Sequence, residues 1–226
     1  MLKGERILFF DIDGTLLYAK GIGRIAFSNA FHDIYNIKIN MSHINFAGAT
    51  DLGVLSKLLS ENNIIDGYKY KNEFFERLAF HLESGLVKQS PKVLPEVYSF
   101  LNSVSKYSDF GLITGNTYKC AKLKLKYAEL NEFFSDMGGY GDDDSSRVIM
   151  TEIALKRSGK YTQGYLFGDT PKDIFAAKSN NLISVALCTG SFSYKELSDC
   201  NPDIVLNSFA EADKYLPEIF TNAKPR

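Results

Sequence analysis

Three short apolar runs in this chain end in the same kind of polar cluster. RILFF (residues 6–10) leads into Asp11-Ile12-Asp13-Gly14-Thr15. DFGLIT (109–114) ends in Thr114-Gly115-Asn116, and GYLFGD (164–169) ends in Gly168-Asp169-Thr170-Pro171-Lys172-Asp173. Runs this short, rich in strand formers and bounded by Gly, Pro or Asp, read as β-strands. ISVALC (183–188) and DIVLNS (203–208) have the same character. Helical patterns lie between them: Asn116 to Leu130, VIMTEIALKRSG after Arg147, a segment through Lys178, and one expected after each of the last two strands. Alternating β and α units imply a mostly parallel sheet with helices on both faces. In such sheets ligands sit beyond the carboxyl ends of the strands. The three polar clusters are thereby predicted to converge on one edge. Taken singly, Asp-Gly is also an ordinary turn pair; the convergence is what favours a site.

A second region is patterned differently. Residues 24–35, the stripe Leu52, Leu55, Leu58 and Leu59, and the stripe Phe74, Phe75, Leu78 and Leu82 read as helices, the second capped by Thr50 or Asp51. No strand is expected between Leu17 and Lys88, as in a small helical bundle. Pro95 is read as first-turn proline of the next helix. In KCAKLKLKY (119–127) the Lys/Leu alternation also fits strand period, but its length and the caps Asn116 or Thr117 favour helix. Its lysines read as a solvated face, since no aromatic residues are interleaved to stack bases.

The 226 residues suit one large domain or a core with a smaller appended one. A hydrophobic fraction of 45% with 23% charged residues allows a substantial core, and a net charge of −1 provides no general attraction to nucleic acid or anionic membrane. The apolar run before Asp11 is too short for a signal peptide, and no run approaches a membrane span. Cys120, Cys188 and Cys200, scattered and without CxxC spacing, read as reduced thiols of a cytoplasmic protein. His32, His43 and His81 form no metal pattern and are expected to be structural.

Several carboxylates without clustered His or Cys suit a hard, oxygen-seeking cation, Mg2+ above all. Glycine-rich turns at helix starts leave backbone N–H groups for an anion, and Thr15, Thr114 and Asn116 can donate to phosphate oxygens. Phosphoryl transfer needs mainly positioning and charge neutralisation. One carboxylate can attack phosphorus, and a second two residues along can serve as general acid and then base.

DIDGTL, ITGN and GDTPKD, in that order, resemble the haloacid dehalogenase superfamily, specifically its phosphatase branch with a helical cap, and phosphoglycolate phosphatases within it. The resemblance implies an α/β fold: a doubly wound, Rossmann-like parallel-sheet core (1–16 and 88–226) and a small α-helical cap (17–87). It makes Asp11 the nucleophile and Asp13 the general acid/base, the latter touching Mg2+ through its backbone carbonyl. Thr114 would bond the phosphoryl group, while Asp11, Asp169 and Asp173 complete the metal site, Asp173 as ligand or support. Gly14, Thr15, Gly115 and Asn116 would surround the phosphate. The superfamily's Lys before the third strand is missing; counting back along the helix puts Arg147 in that place, with Lys156 and Lys160 as alternatives. An Arg brings the same charge in a planar fork.

GATD (48–51) resembles the loop that relatives lower onto substrate, so Thr50 and Asp51 are candidates for the leaving group, with an N-cap as the competing reading. KGIGR (20–24) reads as a hinge or a plain loop. Asp142 to Asp144 lack the Gly and Glu of a calcium loop and read as solvated. The expected partner is a small phosphorylated metabolite, with no nucleic acid or membrane. A phosphomutase is the same-site alternative. Dehalogenation is disfavoured by Asp13, and phosphonate cleavage by the lack of an identifiable cap lysine. A non-catalytic protein on the same fold is disfavoured because no catalytic carboxylate is missing.

Overall fold

The computed structural model describes residues 5–212. Its centre is a six-stranded, wholly parallel sheet. In chain order the strands are β1 (Arg6–Phe10), β4 (Asp109–Ile113), β5 (Gly138–Gly139), β6 (Gln163–Gly168), β7 (Ile183–Leu187) and β8 (Ile204–Leu206), arranged in space as β5-β4-β1-β6-β7-β8. The alternation of side chains along β1 sorts the two faces. Leu8 and Phe10 pack with Phe110, Leu112, Phe167 and Val185 against helices α4 (Val97–Val104) and α5 (Tyr118–Tyr127). Ile7 and Phe9 pack with Ile113 and Leu166 against α6 (Arg147–Ser158) and α7 (Pro171–Ser179). Phe10 stacks on Phe167 at 4.8 Å between ring centres. Both faces of β1 are therefore dry, which is why Ile7 to Phe10 read as an unbroken apolar run.

The helical region forms its own apolar cluster. Helices α1 (Ile22–Tyr35), α2 (Asp51–Glu61) and α3 (Lys71–Lys88) contribute Phe27, Phe31, Leu55, Leu58, Phe74 and Leu82, and Cys120 of α5 joins them. The two chain segments between this lobe and the sheet run side by side as a short antiparallel ribbon, β2 (Leu17–Tyr18) with β3 (Lys92–Val93). That corrects the expectation of no strand after Leu17. A two-residue strand has no periodicity to read, and its partner lies far along the chain.

Other differences are local. Pro95 precedes α4 by two residues and is not in its first turn, because the N-cap, Glu96, takes a left-handed conformation at φ 61°. Strand β5 is a glycine pair with no strand propensity; a Cβ on Gly139 would lie 2.1 Å from the Met150 carbonyl oxygen. The helix after β7 is α8 (Tyr194–Ser198), and after β8 the described residues show a single 3-10 turn, Phe209–Glu211. The remainder of that expected helix lies outside the described residues.

Candidate active site

Register brings the polar clusters together. Phe10 pairs with Leu112 on one side and Phe167 on the other, so Asp11, Thr114 and Asp169 each lie one or two residues beyond these pairs on three neighbouring strands. The Asp11 N–H donates to the Phe167 carbonyl at 2.9 Å, which holds the chain at the sheet edge. Gly14 then turns at φ 86°, and a Cβ there would meet Asp169 Oδ2 at 2.5 Å. Both the backbone angle and the close approach exclude a larger residue. Thr15 is buried, with its hydroxyl 3.4 Å from Asp169 Oδ1. Thr170 caps α7, and Asp173 Oδ2 accepts from its N–H at 3.1 Å and its hydroxyl at 2.6 Å. This reciprocal cap fixes Asp173 beneath Asp11 and leaves Oδ1 directed inward.

Arg147 is the first residue of α6 and is buried. One guanidinium nitrogen donates to Asp11 Oδ1 at 2.5 Å and to the Ile113 carbonyl at 3.1 Å. Its Nε sits 2.8 Å from Asp173 Oδ1, within ion-pair range but without hydrogen-bond alignment, so both atoms lack a hydrogen bond. Burial works against the guanidinium charge, yet Asp173 and Asp11 outweigh it and push the pKa up. Lys156 instead pairs with Glu152 at the surface, and Lys160 is exposed. Of the three candidate cations, Arg147 is the one that reaches the carboxylates at the sheet edge. The neighbouring Asp142 to Asp144 are half-buried, correcting the solvated-loop reading: they accept from the N–H groups of Tyr118, Tyr140 and Ser146, and Asp143 also grips Arg157. Their purpose is to fold the turn that starts α6.

Carboxylate oxygens of Asp11, Asp169 and Asp173 all lie within 4.8 Å of one another. Burial drives Asp11 up to about 7, against the opposing pull of Arg147 and with further raising by Asp173 and Asp13. Asp169 rises to about 8, again by burial first and then by Asp11 and Asp173. Three ionised carboxylates and one guanidinium would leave a surplus of two negative charges in a buried site. An all-oxygen donor set, an unsatisfied Asp173 oxygen and that surplus fit a divalent hard cation such as Mg2+. The Asp13 side chain is outside this triad.

Asp13 belongs to a second network. Its Oδ2 accepts from Asn116 Nδ2 at 2.8 Å and Lys124 Nζ at 2.5 Å. Lys124 also donates to Asn116 Oδ1 at 2.7 Å, and Asn116 Nδ2 to Thr114 Oγ1 at 2.8 Å. Lys124 therefore corrects the solvated-lysine reading, since its side chain is only 6% exposed. Burial disfavours its charge, but Asp13 overrides burial and raises its pKa. A signal existed: the buried residues of α5 are Cys120, Ala121, Lys124 and Leu125, the i, i+1, i+4, i+5 face of a helix.

A cavity of about 750 Å³ joins both networks; Asp11, Asp13, Thr114, Arg147 and Asp169 face it, as do Gly14, Gly115 and Asn116. The helical lobe forms its roof through Arg24, Phe27, Phe46, Leu78 and Leu82. Thr50 is not brought to it: its hydroxyl caps α2 by accepting from the Gly53 N–H and donates to the Ser145 carbonyl. Asp51 does face the cavity. It is pushed up to about 7, burial exceeding the opposing bond from the Thr117 N–H, which it accepts at 2.8 Å. The Asp51 N–H donates to the Gly115 carbonyl at 2.7 Å, so the 48–51 loop is docked on the sheet edge. None of the three histidines lines the cavity, and His43 and His81 pair with Glu61 and Asp33. The three cysteines are free thiols. Among the described residues, no helix is long and apolar enough to cross a membrane.

Residues 8–187 match the haloacid dehalogenase-like hydrolase family, and the chain belongs to it. It is 24% identical to a phosphoglycolate phosphatase of Aliivibrio fischeri, over 99% of this chain and all of that one. Among solved structures, a hydrolase from Pseudomonas syringae aligns over 95% of this chain and 99% of its own, with 24% identity and a TM-score of 0.69. A Thermotoga maritima protein with a provisional beta-phosphoglucomutase name aligns over 96% of this chain and all of its own, at 19% identity and a TM-score of 0.63. The fold is accordingly shared by proteins named for different phosphoryl chemistries.

Proposed function

We propose that this hydrolase is a Mg2+-dependent phosphatase that cleaves a small phosphorylated metabolite through an aspartyl-phosphate on Asp11. The observation that carries the reading is the contact of a buried guanidinium with an equally buried carboxylate at the sheet edge: Arg147 on Asp11, flanked by Asp169 and Asp173. Asp11 would attack phosphorus from the β1 end. Arg147 and the Thr114 hydroxyl, with backbone N–H groups of the Gly115-Asn116 turn, would hold the phosphoryl oxygens. Asp13 would protonate the departing alcohol and then take a proton from the water that hydrolyses the phosphoenzyme. Asp11, Asp169 and Asp173, with the Asp13 carbonyl, would hold Mg2+, which supplies positive charge against the phosphate. Residues 17–87 would act as a cap over 1–16 and 88–226, and the docked Asp51 loop supports a closed arrangement that excludes bulk water. Phosphoglycolate is the first substrate to try, because a full-length relative carries that name.

Turnover of a phosphate-ester panel that includes phosphoglycolate, with and without Mg2+, tests the activity. Acid-quenched protein should carry phosphate on Asp11. Absence of turnover across the panel sinks the reading, as does full activity in Asp11→Asn.

A further inference from the structure

The Lys124 ammonium is a buried cation that the proposed reaction does not use. It comes from the core helix α5, reaches the site beside Gly23 at the start of α1, and ends on the carboxylate of Asp13. Of the two Asp13 oxygens, Oδ2 takes both side-chain donors, Asn116 and Lys124, while Oδ1 receives none among the described residues. Lys124 and Asn116 also bond each other, so the three side chains close a ring. A carboxylate held by two donors on one oxygen loses its freedom to rotate. Asp13 needs that restraint, because its side chain is 44% exposed and packing alone would not fix it.

We infer that Lys124 is a positioning residue: with Asn116 it pins Oδ2 of Asp13, so that Oδ1 is the oxygen offered to the leaving group and later to water. The inference rests on the reading of Asp13 as general acid and base. Lys124 borders the cavity, and in this role it acts through Asp13 and not on the substrate or the metal. The balance of the step is simple: as the Asp11–phosphorus bond forms and the phosphorus–oxygen ester bond breaks, the proton on Oδ1 passes to the departing alkoxide. The ammonium keeps its own protons throughout. Its raised pKa agrees with a lysine that serves as a fixed charge and not as an amine nucleophile.

A positioning role predicts a dependence on leaving group that a structural or phosphate-binding role does not. An alkyl phosphate needs its leaving oxygen protonated; 4-nitrophenyl phosphate departs as a stable phenolate and scarcely needs an acid. The quantity to read is kcat/KM, which reports only the steps up to departure of the alcohol. In Lys124→Met the ratio of kcat/KM for glycerol 2-phosphate to that for 4-nitrophenyl phosphate should fall at least about tenfold, a part of the ~100-fold or more that general acid catalysis supplies. Lys124→Gln, which keeps one donor, should fall between Met and wild type, and it carries the same test if the Met variant does not fold. Equal losses for both esters, or a loss confined to KM and to inhibition by inorganic phosphate, overturn the inference. Asp13→Asn separates the two layers: if it leaves the ratio unchanged, the acid reading itself fails; if it moves the ratio and Lys124 variants do not, only the positioning role fails.

Discussion

Adding Mg2+ to the protein should expel protons, and the number follows from the site. With apparent values of about 7 and about 8, Asp11 and Asp169 titrate as a pair and together hold between about one and two protons at pH 7. A cation bound among these oxygens requires the ionised forms, so binding at pH 7 should release between about one and two protons. At pH 9 the same carboxylates are mostly ionised and the release should drop to about a quarter of a proton or less. Below pH 7 protons compete, and affinity should weaken by about tenfold or more per pH unit. Titration calorimetry in buffers of different ionisation enthalpy measures the release directly. The sign has a companion in stability. Both folded pKa values lie above the unfolded model value of 3.8. The metal-free folded state thus binds more protons than the unfolded state, and its stability declines as pH rises from about 4 through 8. Mg2+ should reverse that decline. A release of zero protons at pH 7 would refute the desolvation argument; binding that is unchanged in Asp169→Asn would refute the site.

Removing the guanidinium in Arg147→Met leaves two buried carboxylates without their partner and should cost about 3–5 kcal/mol in denaturant unfolding. Turnover should fall about 100-fold or more, with Arg147→Lys recovering part of it as a point charge. Asp11→Asn should abolish the phosphoprotein found on acid quenching while retaining the fold, checked by intact mass and circular dichroism. In Gly115→Ala the new methyl would sit 1.8 Å from the Ala49 carbonyl oxygen. The 48–51 loop should then be unable to dock, and kcat/KM should fall by about 100-fold, with the displaced loop visible in a crystal structure of the variant.

Legibility followed the range of the interaction. RILFF, DFGLIT and GYLFGD could be read as strands because a parallel strand covered on both faces is apolar through its buried middle. Their polar ends could be read as a common edge because parallel pairing leaves no other arrangement. Thr117 signalled a helix start through the local bond it makes. The ribbon of Leu17–Tyr18 with Lys92–Val93 and the glycine strand Gly138–Gly139 were not legible, since their partners lie elsewhere and their own residues carry no pattern. Thr50 illustrates local chemistry winning over a distant ligand: a hydroxyl three residues before a free helix N–H caps it, and here it does.

The amino-acid order alone determined which residues could meet at the sheet edge, because hydrophobic periodicity and strand direction are properties of the chain and need no coordinates. It placed Asp11, Asp13, Thr114, Asp169 and Asp173 there, and the resemblance to the haloacid dehalogenase superfamily offered Arg147 as one of three cations. Only the tertiary structure chose Arg147, since whether a cation ends on Asp11 or in solvent depends on where the turn before α6 aims its first residue. Only it showed that Lys124 leaves the surface lysine pattern of α5 and closes on Asp13. A lysine's long stem lets the same residue type serve either face, and the packing of α5 under the helical lobe decided which.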